Sequence, residues 1–223
     1  MAILFDLDET LLRESDARNR AASDFLKQFS SELPFSESEF LAYWQDLQER
    51  HFKRFAQGEI TFQEQRRARL HELFSPYESN LTDSELDSRF NLYLTYYESN
   101  WALFDDVRPF LDRVRHLRLG IVTNGEGKQQ RDKLKKTGIL NRFEVIVISE
   151  EIGVAKPDPQ IFREACRLLS VSPANCIYIG DQVDLDIEGS KSAGMTPIWL
   201  NREGTSTLNR AFKIVRSLLE IEI

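Results

Sequence analysis

The chain has 223 residues, 41% of them hydrophobic, with 29 basic against 36 acidic side chains and a net charge of −7. That is enough to bury the core of one domain carrying a large insertion, or of two domains, while the acidic balance and the lack of a basic block disfavour a grip on nucleic-acid phosphates. The longest apolar runs, FEVIVI and CIYIG, fall far short of the roughly 20 residues that span a bilayer. Asp6, Asp8 and Glu9 lie where a signal peptide would carry its positive and apolar regions. No nucleic-acid polymer and no membrane is therefore expected as a partner, and a cytoplasmic location is the default.

The first element is AILFD at 2–6, an apolar run that reads as a buried strand and stops at two aspartates, Asp6 and Asp8. Residues from about 14 to 100 lack any β-branched run. They carry helical spacing throughout, as in Phe25, Leu26 and Phe29, then Phe40, Leu41, Trp44 and Leu47. Four or five helices are predicted there, punctuated by SELP at 31–34, QGE at 57–59 and SPY at 75–77. From about 104 onward the short β-rich runs LGIVT, FEVIVIS, CIYIG and TPIWL alternate with helical segments, the signature of βαβ units around a parallel sheet. AILFD shares their character and is expected to join them. The predicted fold is α/β: a Rossmann-like, doubly wound parallel sheet formed by 1–13 and 101–223, with an all-helical domain inserted at 14–100. Cys166 and Cys176 read as buried thiols rather than a disulfide framework. His51, His71 and His116 have no partners at metal or triad spacing, and no GxSxG elbow is present.

In open parallel sheets ligands bind beyond the carboxyl ends of the strands. The residues there are Asp6 and Asp8, Thr123 and Asn124, and Gly180 and Asp181, with Lys156 in a loop shortly after FEVIVIS. Asp6 and Asp8, two apart on extended chain, would point into the same crevice. There one carboxylate can attack a phosphoryl group to form an aspartyl-phosphate while its neighbour handles the proton; the alternative is a turn in which Asp8 caps a helix. Gly180 lets the chain turn sharply in GDQVDLD. Asp181 and Asp186 would add carboxylates that repel unless a cation sits among them, and an all-oxygen ligand set suits Mg2+ rather than Zn2+. Asp184 and Asp186 also fit acids at a helix N-terminus. Thr123, Asn124 and Gly125 offer a hydroxyl and backbone N–H groups suited to phosphoryl oxygens. In VAKPDPQIF, Asp158 and Pro159 read as helix cap and first helical residue, a rigid anchor for Lys156, which could neutralise charge on nucleophile and phosphate or be a solvated loop lysine.

Taken in order, DLDET, IVTNG, AKPDP and GDQVDLD resemble the four motifs of the haloacid dehalogenase-like hydrolase superfamily, closest to the branch of the pyrimidine 5′-nucleotidases and N-acylneuraminate-9-phosphate phosphatases. The resemblance implies Asp6 as nucleophile, Asp8 as general acid and base, and Thr123 with the Asn124 backbone as phosphate binders. It implies that Lys156 steadies the phosphoaspartate, that Asp6, the Asp8 carbonyl and Asp181 hold Mg2+, and that Asp186 supports the metal through water or orients Lys156. The helical insertion would be a cap that closes over the crevice and chooses the substrate; Arg18, Trp44, Arg54 and Phe55 are its candidate contacts. True 2-haloacid dehalogenases need neither the second acid nor a metal, so Asp8 and Asp181 count against that chemistry. The motif departs from relatives in having Glu9 where many carry glycine, and Gln182 where many carry Ser or Thr. The expected activity is a Mg2+-dependent phosphomonoesterase acting on a small phosphorylated metabolite, foremost a nucleoside 5′-monophosphate. A sugar or acyl-sugar phosphate, or a non-catalytic phosphate-sensing role, are the alternatives. A monomer or homodimer is expected.

Overall fold

The computed structural model describes residues 1–204 and 212–223. Its apolar runs become strands β1 (Ala2–Phe5), β2 (Arg118–Thr123), β3 (Val145–Ile148), β4 (Cys176–Gly180), β5 (Thr196–Leu200) and β6 (Lys213–Val215). They form one sheet in the order β3-β2-β1-β4-β5-β6, and every pairing is parallel. Side chains alternate across such a sheet. On one face Phe5 meets Phe110 and Phe143 edge-on, at 6.0 and 6.1 Å between ring centres. On the other, Ala2, Leu4 and Val122 join Tyr178 and the helix α8 (Pro159–Leu168) through Ile161 and Phe162 in one apolar cluster.

Two strand expectations change. β6 is a short strand, KIV, which carries too few residues to show a period. β3 ends at Ile148, and the following SEEI coils into a short helix, α7 (Ser149–Ile152), which Gly153 stops in the left-handed conformation at φ 72°. The β-rich run at 143–149 is therefore strand only in its apolar middle.

The chain divides into two units, Met1–Glu14 with Trp101–Ile223, and Ser15–Asn100. The second is built on α1 (Glu14–Gln28), α2 (Glu37–Ala56), α3 (Phe62–Phe74) and α4 (Asp83–Ser99). Ser36 with Glu39, Thr61 with Glu64, and Thr82 with Glu85 form reciprocal capping boxes at the starts of α2, α3 and α4. These satisfy backbone donors that a helix start leaves without partners. Phe25, Phe40, Trp44, Phe74 and Tyr93 form the aromatic centre of this unit, and the buried Arg69 guanidinium lies 4.5 Å over the Trp44 ring. Trp44 is thus a packing residue of its own unit. Phe55 packs on Phe52 and Phe62, Arg54 pairs with Glu59 and Arg18 bonds Ser15.

The remaining elements of the first unit are α5 (Val107–Arg113), α6 (Gly127–Lys136), which follows β2, and α9 (Glu188–Ser192), which follows a π-helical turn at Val183–Ile187. Cys166 and Cys176 are buried free thiols with sulfurs 3.3 Å apart. No helix among the described residues is long and apolar enough to cross a membrane. In the observed strand order the winding direction reverses beside β1, with β2 on one side and β4 on the other, which opens a crevice beyond the carboxyl ends of β1 and β4.

Candidate active site

Asp6 is the residue after β1, and its N–H still donates to Ile179 O at 2.9 Å, so the sheet fixes its main chain. Its carboxylate is buried and accepts from Lys156 Nζ at 2.5 Å. The same ammonium donates to Asp186 Oδ1 at 2.7 Å. Lys156 is held from both ends of its loop. Asp158 caps α8, accepting from Gln160 N at 2.8 Å with Pro159 as first helical residue, and the Asn124 side chain bonds both the N–H and the carbonyl of Lys156.

Asp186 lies on the π-helical turn, fully buried, and its Oδ2 accepts from Gln182 N at 3.0 Å. Tyr178, on β4, donates to Val122 O at 3.0 Å and lies 3.1 Å from Asp186 Oδ1. Gly180 has no positive φ. A Cβ there would stand 2.4 Å from Asp186 Cγ, so glycine serves to admit that carboxylate rather than to turn the chain sharply, which corrects the sequence expectation. Asp181 follows directly; Thr10 Oγ1 donates to its Oδ1 at 3.2 Å and Trp199 Nε1 to its carbonyl at 2.7 Å. Asp6, Asp181 and Asp186 thus bring carboxylate oxygens within 4.8 Å of one another.

Asp8 belongs to a separate arrangement. Lys133 Nζ, on α6, reaches both of its oxygens, at 2.7 and 2.8 Å, and Gln130 Nε2 reaches Oδ2 at 3.0 Å. Gln130 Nε2 also donates to Thr123 Oγ1 at 2.7 Å and to Asn124 O at 3.2 Å. Thr123 is itself buried at the end of β2, and its hydroxyl donates to Asn124 O at 3.3 Å.

The family profile of the haloacid dehalogenase-like hydrolases matches residues 1–194. The chain is a haloacid dehalogenase-like hydrolase. Over 99% of its length it is 28% identical to the N-acylneuraminate-9-phosphatase of Mus musculus, of which it covers 91%. Two other relatives match over about half their length or less. The glyceraldehyde 3-phosphate phosphatase of Methanopyrus kandleri is 42% identical over 49% of each chain, and the pyrimidine 5′-nucleotidase YjjG of Escherichia coli is 39% identical over 41% of each. Among solved structures, the magnesium-bound HAD-hydrolase YfnB of Bacillus subtilis superposes with a TM-score of 0.78 at 25% identity, covering 98% of this chain and 95% of that one.

Burial dominates the electrostatics of this hydrolase's crevice. It pushes the Asp6 carboxyl up to about 7, with Asp186 and Asp8 adding to the rise and Lys156 opposing it. Burial, then the charges of Asp6 and Asp186, push Asp181 up to about 8. For Lys156 burial disfavours the charge, but Asp186 and Asp6 outweigh it and hold the ammonium protonated. When all three carboxyls are ionised they exceed the single Lys156 ammonium by two negative charges, 3 − 1 = 2, and the raised pKa values of Asp6 and Asp181 express the cost of burying that excess. Oxygen-only donors carrying that excess fit a hard divalent cation. The cluster contains Asp186 as well as the expected Asp6 and Asp181; the Asp8 side chain is not in it.

Three residues of the site escape a reading of the sequence. Tyr178 reads as one more apolar strand residue, and Gln130 and Lys133 lie in GKQQRDKLKK, which looks like a solvated basic helix. The available signal is positional: Gln130 and Lys133 share with Gly127 and Leu134 the buried stripe of α6, and a polar side chain on a helix's inward stripe is rarely there without a partner.

Proposed function

We propose that this hydrolase is a magnesium-dependent phosphomonoesterase working through an aspartyl-phosphate on Asp6. The observation that carries the reading is the separation of two carboxylates two residues apart. Asp6 is buried against the Lys156 ammonium, and Asp8 is only partly buried and held by other groups. An Asp6 oxygen attacks the substrate phosphorus, forming the acyl phosphate as the bond to the leaving oxygen breaks. Asp8 gives its proton to that oxygen, so a neutral alcohol departs. A water then attacks the same phosphorus while Asp8 takes its proton; the bond from Asp6 to phosphorus breaks and inorganic phosphate leaves. Lys156 keeps Asp6 in place and offsets charge near the phosphoryl group. Of the main-chain N–H groups after β2, Gly125 N donates to Ser149 Oγ and Gly127 N to Glu150 Oε2; the Asn124 N–H at the strand's end is the one proposed to meet phosphoryl oxygens. Asp6, Asp181 and Asp186, with the Asp8 carbonyl, would hold Mg2+, which supplies charge to stabilise the phosphoryl oxygens in the transition state.

For the leaving group, the relative matched over the whole chain is by name an N-acylneuraminate-9-phosphatase, whereas the nucleotidase match spans 41% of the chain. The inserted helical unit, where specificity is proposed to lie, is part of the first match. We therefore rank an acyl-sugar phosphate ahead of a nucleoside 5′-monophosphate.

The test is phosphate release from N-acylneuraminate 9-phosphate, UMP, dTMP, AMP and ribose 5-phosphate, with and without Mg2+. Asp6→Asn should lose about five to six decades of turnover, the scale of removing a covalent nucleophile. Turnover by Asp6→Asn within tenfold of wild type would overturn the mechanism. A nucleotide preferred by tenfold over both sugar phosphates would reverse the substrate ranking.

A further inference from the structure

Each aspartate of DLDET has its own lysine. Lys156 serves Asp6, and Lys133, on a different element, serves Asp8. The Lys133 side chain is only 3% exposed, whereas that of Asp8 is 31% exposed. An ion pair with one partner so deeply buried is not the ordinary surface pair whose worth is near zero. Nζ bridges both carboxylate oxygens, at 2.7 and 2.8 Å, and Gln130 adds a third bond at 3.0 Å. Three bonds to one carboxylate leave it a single orientation, whereas an aspartate on a strand-end loop would otherwise sample rotamers.

The support behind these two side chains is itself built. Gln130 and Lys133 are three apart on one face of α6. Gln130 is pinned by Thr123 Oγ1 and Asn124 O, the residues that close β2. Gly125, at φ 140°, packs against this side chain: a Cβ there would meet Gln130 Cδ at 3.2 Å, tight enough that the amide would have to give by a few tenths of an ångström. The helix therefore transmits the position of the β2 end to Asp8.

We propose that Lys133, assisted by Gln130, is the positioning residue for proton transfer at Asp8: it touches neither phosphorus nor the leaving oxygen, and acts by holding the Asp8 carboxylate at one place and angle. This inference rests on Asp8 being the general acid and base of the proposed reaction. A proton donor matters most when the leaving oxygen is a strong base, so losing its alignment costs more as the leaving group becomes poorer. A lysine that instead bound the substrate phosphate would change KM for all substrates alike.

The experiment is steady-state kinetics in saturating Mg2+ with p-nitrophenyl, phenyl and benzyl phosphate, whose leaving groups grow steadily poorer. It compares wild type, Lys133→Met, Lys133→Arg, Asp8→Asn and the double variant Lys133→Met/Asp8→Asn. For Lys133→Met, kcat should fall about threefold with p-nitrophenyl phosphate and about a hundredfold with benzyl phosphate, the low end of general acid catalysis, while KM moves less than about twofold. In the Asp8→Asn background the same substitution should change kcat by less than about threefold, because residues that act through one another are not additive. Lys133→Arg keeps the charge and alters the geometry; it should show the same trend at smaller size, and it carries the test if the Met variant does not fold.

Equal losses for all three leaving groups, or a further tenfold loss in the Asp8→Asn background, would overturn the inference while leaving the phosphatase reading intact. A flat leaving-group dependence in Asp8→Asn itself would remove the acid role from Asp8 and this inference with it. No phosphate release by wild type from any of the three would overturn the phosphatase reading.

Discussion

Asn124 and Lys156 grip each other through both polar groups of a main chain. Asn124 Oδ1 accepts from Lys156 N at 2.8 Å, and Asn124 Nδ2 donates to Lys156 O at 3.2 Å. The end of β2 thereby sets the start of the loop that delivers an ammonium to Asp6. Asn124→Ala removes both bonds and should lower turnover about 10- to 100-fold, since small misplacements of a charged group near the reacting atoms are costly. Stability should drop by about 1–3 kcal/mol. Asn124→Asp can still accept but no longer donate, and should fall between. Turnover and urea midpoints of the three proteins check the order.

Gly180 and Asp186 occupy neighbouring space with no room for a methyl group. Gly180→Ala must drive the Asp186 carboxylate from Lys156 and from the Gln182 N–H, because the added carbon would lie 2.4 Å from Asp186 Cγ. The expected loss is about 1–3 kcal/mol, the usual cost of overpacking. The Mg2+ concentration for half-maximal turnover should rise about tenfold or more, as for other disturbances beside a metal's ligands. A magnesium titration of both proteins measures this.

At Glu9 the backbone takes φ 59°, the left-handed region. A side chain there costs about 1–2 kcal/mol. Glu9→Gly should therefore stabilise this hydrolase by about 1 kcal/mol and raise its melting temperature by about 2–4 °C for a chain of this size. Calorimetry of the two proteins decides it; an unchanged or lower melting temperature would show that contacts of the glutamate outweigh the strain.

Asp106 ties the C-terminal segment to the core. Its carboxylate accepts from both Arg202 Nη atoms at 3.0 Å, from Ser217 Oγ at 2.7 Å and from Leu218 N at 2.8 Å. Burial alone would raise its pKa, but Arg202, Ser217 and the Leu218 N–H outweigh it and hold the group below its ordinary value. A depressed folded pKa gives stability that is complete above the unfolded pKa, about 3.9, and is lost as pH falls through the folded one. The wild type should therefore lose this contribution only below about pH 4. Asp106→Asn should be weaker at pH 7 by about 3 kcal/mol, as when a buried pair loses a member, and should show a shallower fall below pH 4. Denaturant midpoints from pH 7 to pH 3 test both.

The sequence by itself determined the strands β1, β2, β4 and β5 and the placement of Asp6, Asp8, Thr123, Asn124 and Asp181 at their ends, because the signals are local. Apolar runs of a few residues with β-branched side chains form strands wherever the chain can pair them, and the polar residue that stops the run necessarily lies at the strand's end. The Asp158–Pro159 start of α8 was legible for the same reason, since a cap is made by residues two or three apart. What the tertiary structure alone decided is which of those ends meet and what stands behind them. Asp8 finds Lys133 across 125 positions, Lys156 finds Asp6 across 150, and Asp106 finds Arg202 across 96. Those encounters depend on β1 lying between β2 and β4 and on the rotation of α6 about its axis. Strand order and helix rotation are settled by the packing of the whole core, to which every buried side chain contributes, so no short stretch of sequence contains them. The same holds for Gly180, where a strand-end glycine looks like a hinge until the buried Asp186 carboxylate occupies the space its missing side chain leaves.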